Sequence, residues 1–224
     1  MSNKKAAPGK PAVRKPAAKK PAAQAPLSRE AAKQETRAAL IGAASALFRR
    51  EGLDVSLDAV CAHAGYTRGA FYVHFKDRDA LLSAVMERVG NDLLDTLLGK
   101  EDGDDDFLTL VQRFLQTVSS GKYPVSRAGG LRPYQLMDAC ARSDDVRRQY
   151  LRLKQVSVTR LAAILRRGQD RGQIRSDLGA DAIAQLLMSI VVGLQTLLDL
   201  DMSLNLPGIA QTALQMLAPP PPKN

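Results

Sequence analysis

Residues 65–75 read GYTRGAFYVHF, a short amphipathic helix that arrives with its own stop and start signals. Gly65 can take the positive φ that closes a preceding helix, and the Thr67 hydroxyl can cap the next one. At about 100° per residue, Phe71 and Phe75 stand one turn apart and face a core. Gly69, Ala70 and Val73 then project outward, flanked by Arg68 and Tyr72. Small outward residues let another surface come close to the backbone. The Arg, Tyr, His and Lys side chains around them suit contacts with phosphates.

Helical signals continue on both sides of this stretch. Leu40, Ala44, Leu47 and Phe48 form an apolar stripe at i, i+4, i+7 and i+8 of a helix that begins near Arg29 and that Gly52 can stop. Ser56 can cap a second, short helix through Val60 to Ala64. Asp77 can cap a fourth that runs to about Lys100. Further helices are expected from Phe107 to Ser120, from Pro133 to about Ala141, over roughly Asp145–Gly172, over Ala180–Leu200 and over Pro207–Leu217. Gly121, Pro124, Gly129 and Gly130 break the first two of these apart. Alternating β-branched runs are absent, so the chain reads as all-α.

At 224 residues and 45% apolar content, the chain can bury a sizeable core. Its net charge of +9 is misleading. Lys4, Lys5, Lys10, Arg14, Lys15, Lys19 and Lys20 put +7 into residues 1–28, which hold no acid, and leave +2 for the rest. That Lys/Ala/Pro tail has too little apolar surface to offset ordering and is expected to be disordered, as is the Pro-rich end at 219–224. The tail lacks the apolar stretch of a signal peptide, and its prolines forbid an amphipathic presequence helix. Cys61 and Cys140 are too few for a disulfide scaffold. A cytoplasmic, nucleoid-associated protein is expected. Residues 182–198 are uncharged, but Gln185, Ser189 and Gln195 interrupt a run already short of the roughly 20 residues a bilayer needs, so a buried or interface helix is expected and no membrane partner.

Residues 33–85 carry a resemblance. Arg37, Leu40-Ile41, Ala43-Ala44, Leu47-Phe48 and Gly52, then Ser56-Leu57, Val60 and Ala64-Gly65, then Thr67-Arg68-Gly69-Ala70-Phe71-Tyr72, His74-Phe75-Lys76 and Ala80-Leu81 closely resemble the TetR/AcrR family of bacterial transcription regulators. Cys61 and Tyr66 replace the smaller residues usual there. The resemblance implies a three-helix helix-turn-helix DNA-binding domain at 29–76, joined by a linking helix to a larger effector-binding and dimerisation domain within 77–218. It implies a homodimer on a palindromic double-stranded DNA operator. Thr67, Arg68, Gly69 and Ala70 would enter the major groove, with Arg68 reading guanine through its fork. Tyr72, His74 and Lys76 would hold phosphates, as would Ser56 and the Leu57 N–H at a helix N-terminus, and Arg37 would add a backbone contact. A small-molecule effector would meet Tyr134, Met137, Tyr150 and Leu187. Leu186, Ile190, Leu194, Leu197, Ile209 and Ala213 would pair the two subunits.

Other candidates carry less. Cys61 and His63 lie on different helix faces, wrong for a shared metal. The acidic run 101–106 lacks calcium-loop spacing and reads as a solvated loop before a helix. Neither a cofactor motif nor a nucleophile motif is present, so no enzyme is expected. The reading that results is a ligand-responsive repressor. Its alternative is a constitutive nucleoid-binding protein driven by the tail, which could add affinity by counterion release.

Overall fold

A computed structural model describes residues 28–100, 105–120 and 131–219, which form nine helices and no strand. They are α1 (Arg29–Glu51), α2 (Leu57–Ala64), α3 (Arg68–His74), α4 (Arg78–Leu98), α5 (Phe107–Ser119), α6 (Pro133–Arg142), α7 (Asp144–Asp170), α8 (Ala180–Asp199) and α9 (Leu206–Leu217). The readings made for residues 1–27, for the Pro-rich end from 220 and for most of the acidic run fall outside the described residues.

Side-chain caps set the helix starts. Ser28, Ser56, Thr67 and Asp77 accept the N–H of Ala31, Ala59, Ala70 and Ala80 at 3.1, 3.1, 3.2 and 2.8 Å. Each such cap contributes about 1 kcal/mol to its helix. Ser143 does the same for α7 by accepting from Val146, and Asp106 accepts from Thr109 to begin α5. Gly65 ends α2 in the left-handed region at φ 76°, where the N–H groups of Gly65 and Tyr66 return to the carbonyls of Ala62 and Cys61. That conformation is strained for any residue with a β-carbon.

Two apolar clusters hold the molecule together. The first joins α1, α2, α3 and the start of α4 through Leu40, Leu47, Phe48, Val60, Phe71, Phe75, Leu81 and Val85, and it also takes in Ala139 and Cys140 of α6 and Val146 of α7. The second packs Leu94 and Leu98 of α4 against Phe107, Leu161, Leu165, Ile183 and Leu217. Helix α4 therefore serves both cores. It runs alongside α7 in the same direction, stitched by Lys76–Asp145 at 2.6 Å just ahead of it, then Glu87–Arg152 at 3.5 Å and Asp95–Arg160 at 2.8 Å.

Helix α8 packs one side against α7. It is the one helix among the described residues long and apolar enough to cross a membrane by length and composition. Ile183, Ala184 and Leu198 are buried, whereas Leu186, Ile190 and Leu197 stand exposed on another face.

Candidate functional site

Helices α2 and α3 present a continuous outer surface because Phe71 and Phe75, both buried with their rings tilted against each other at 5.5 Å, fix the rotation of α3. The opposite face carries Thr67, Arg68, Gly69, Tyr72 and Val73, all exposed, with Ala70 half-buried at its edge. Gly69 is informative. Its φ is not positive, and a β-carbon there would meet only the Thr67 Oγ1 at 3.6 Å, an ordinary contact. A glycine inside a helix costs about 0.5–1 kcal/mol relative to alanine. Nothing within the fold requires that loss, and it leaves the outer face of α3 flat.

The charged groups around this face are already arranged. Arg68 Nε lies 2.6 Å from Asp58 Oδ1, both well exposed, and that single contact leaves the outer guanidinium nitrogens able to donate elsewhere. At the N-terminus of α2 the Leu57 N–H has no intrahelical acceptor, beside the Ser56 cap. The Arg37 guanidinium sits over the Phe75 ring at 5.3 Å. His74 is half-buried, and burial together with nearby Lys33 and Arg37 lowers its pKa, so its ring is neutral near pH 7 and offers a hydrogen bond rather than a charge. Lys76 is engaged, with its Nζ 2.6 Å from Asp145 at the start of α7 and 3.8 Å from Asp77. Asp58 and Asp145 thus occupy two of the cations that the sequence assigns to nucleic acid.

Two cavities open in the helical body. One, of about 140 Å³, lies between α4, α6, α7 and α8, with Tyr150, Leu153 and Lys154 of α7 on its wall. The other, of about 170 Å³ and lined by apolar side chains of α4, α5, α7, α8 and α9, includes Leu187. Of the four side chains expected to meet an effector, Tyr150 lines the first and Leu187 the second, while Tyr134 and Met137 are exposed and line neither. The register of α6 explains this. Pro133 and Leu136 face the cavity, and the next residue along each time is turned about 100° away. Ile190, Leu194, Ile209 and Ala213 also line the second cavity, whereas Leu186 and Leu197, with the part-exposed Ile190 beside them, form the exposed face of α8. Lys154 escaped the sequence reading, although its signal was present: it interrupts the inward stripe Tyr150, Leu153, Ser157, Leu161 with a cation. Cys61 and Cys140 are both buried, and burial raises the pKa of each thiol, which suits small packing residues.

Residues 40–85, which contain α2, α3 and the end of α1, match the bacterial regulatory proteins of the tetR family. The uncharacterised HTH-type transcriptional regulator YvdT of Bacillus subtilis (strain 168) is 33% identical over 73 residues, covering 32% of this chain and 38% of that protein. The alignment thus spans well under two thirds of that relative. Among solved structures, the reduced form of NemR from E. coli superposes with a TM-score of 0.70 over 83% of this chain and 98% of its own, at 19% identity, a likeness of fold. SmeT of Stenotrophomonas maltophilia, in its complex with triclosan, has a TM-score of 0.62 and 26% identity over 81% of this chain and 88% of its own. Residues 40–85 of this chain thus match the N-terminal helices of tetR-family bacterial regulatory proteins, and the helices that follow share the fold of solved structures such as NemR.

Proposed function

We propose that the protein is a ligand-responsive repressor that binds a palindromic operator as a homodimer, with α3 in the major groove and a small molecule in the helical body releasing it. The observation that carries this reading is the outer face of α3, kept flat by a glycine that the fold does not need. Arg68 reads a guanine through its outer nitrogens while Asp58 holds its Nε. Phosphate contacts come from Tyr72, from the N-terminus of α2 and from Lys76 once it leaves Asp145. Two copies joined through the exposed α8 face would have to hold their α3 helices about 34–36 Å apart, one turn of DNA, to read such an operator. SmeT offers a parallel, since its structure is a complex with triclosan and it is described as the repressor of a multidrug efflux pump.

Helix α4 links the two regions, because its first half belongs to the core beneath α3 and its second half to the core beside the cavities. An effector that binds the DNA-incompetent arrangement a hundredfold better supplies about 2.7 kcal/mol of coupling, and the coupling is reciprocal. Footprinting on genomic DNA is expected to protect one or a few palindromic sites, released by the effector. Broad, sequence-blind coverage would instead favour the architectural reading carried by the basic tail.

A further inference from the structure

The cavity between α4, α6, α7 and α8 contains a charge without a counter-charge. Lys154 extends from α7 into a largely buried position, and its ammonium lies 5.1 Å from the centre of the Tyr150 ring. Among the described residues it has neither a hydrogen bond nor an ion pair, in contrast to Lys76 with Asp145 and Arg160 with Asp95. None of the described residues lining the cavity is acidic. An ammonium removed from water without an anion is unfavourable, and leucine or methionine would fill the same wall better. Burial pushes its pKa down, a direction that a bound anion would reverse.

The rest of the cavity completes the complementarity. Leu93, Leu136, Leu153 and Val192 supply apolar walls. The Tyr150 hydroxyl has no hydrogen-bond partner among the described residues, and burial raises its pKa, so it keeps a proton to donate. At about 140 Å³ the space is close to the roughly 150 Å³ of an apolar cavity that takes up benzene.

We propose that this cavity takes a small carboxylic acid, about the size of benzoate, whose ring or short chain packs on the leucines and whose carboxylate pairs with the Lys154 ammonium and the Tyr150 hydroxyl. The inference rests on the reading of the helical body as the effector-binding region; it takes this cavity as the site and names the chemical class of the effector. It predicts discrimination against neutral and cationic molecules of the same shape, because the wall offers donors and a positive charge but no acid.

Calorimetry on the full chain tests it with benzoate, benzyl alcohol and benzylamine as probes, against wild type, Lys154→Met and Lys154→Gln. Wild type is expected to bind benzoate roughly tenfold or more tightly than benzyl alcohol. Both variants should lose that preference, keep their affinity for the alcohol and melt at or above the wild-type temperature. Equal benzoate affinity in wild type and in either folded variant would overturn the ion pair. Alcohol or amine binding wild type as tightly as benzoate would overturn the anionic class while leaving the cavity as the effector site. Binding of none of the three probes would overturn the inference together with the cavity reading beneath it.

Discussion

On α3 the cation Arg68 stands in water with an acid 2.6 Å away, and on α7 the cation Lys154 stands largely out of water with no acid beside it among the described residues. The two helices treat the same kind of group in opposite ways because their tasks differ. An exposed pair such as Arg68–Asp58 is worth about 0–1 kcal/mol, so Arg68 can change partners at little net cost. It shares the work with several neighbours, and salt screens it. The Lys154 ammonium has no competing carboxylate among the described residues, and in the proposed site its partner is the carboxylate of the bound acid. On the proposed function, one region recognises by many small contacts and the other by a single strong one.

The contrast breaks most visibly if the two cations act alike in an operator-binding assay. Arg68→Ala is expected to lose about 1–3 kcal/mol of discrimination at one base position while shifting folding stability by less than about 0.5 kcal/mol. Lys154→Met, measured without effector, should leave the same binding curve in place. Gly69→Ala sharpens the comparison from the other side. It should raise folding stability by about 0.5–1 kcal/mol in urea titrations yet weaken operator binding, because the added methyl stands on the outer face. A variant that is more stable and binds equally well would remove the close-approach argument.

The smallest effect concerns Lys76. Asp145→Asn should free its ammonium, tighten operator binding by no more than about fivefold and steepen the salt dependence by roughly one phosphate. The Lys76 bond lowers the pKa of Asp145, and that carboxylate raises the pKa of Lys76. The stabilisation from Asp145 is therefore present above the unfolded carboxylate value of about 3.9 and is lost as pH falls through the lower folded value. That from Lys76 is present below about 10.4 and is lost as pH rises through the higher folded value. Melting curves of wild type and Asp145→Asn should differ by a constant amount from pH 5 to 9 and converge in acid.

What could be read from the sequence follows from how local each feature is. Ser56, Thr67 and Asp77 cap helices through an N–H three residues away, and Gly65 closes α2 through bonds to Ala62 and Cys61, so the α2–α3 unit was legible in full. The rotation of α3 followed from two phenylalanines four residues apart. The cavity is assembled from four helices whose contributing residues range from Met86 to Gln195, and a small error in the register of α6 was enough to select Tyr134 and Met137 in place of Pro133 and Leu136. The partners of the charged groups were less legible still. Lys76 meets Asp145 across 69 residues, a pairing that exists only once α7 lies beside α4.

The first apolar cluster does not end where the three-helix unit ends. Leu81 and Val85 of α4, Ala139 and Cys140 of α6 and Val146 of α7 close it from below. A protein engineer who exchanged residues 29–76 for the reader of another regulator would therefore inherit a seam, with half of its surface chosen for the old guest. Retargeting this scaffold calls for changes on the outer face of α3 alone, since a transplanted reader would have to be refitted to Ala139, Cys140 and Val146 before it could hear anything from the body beneath it.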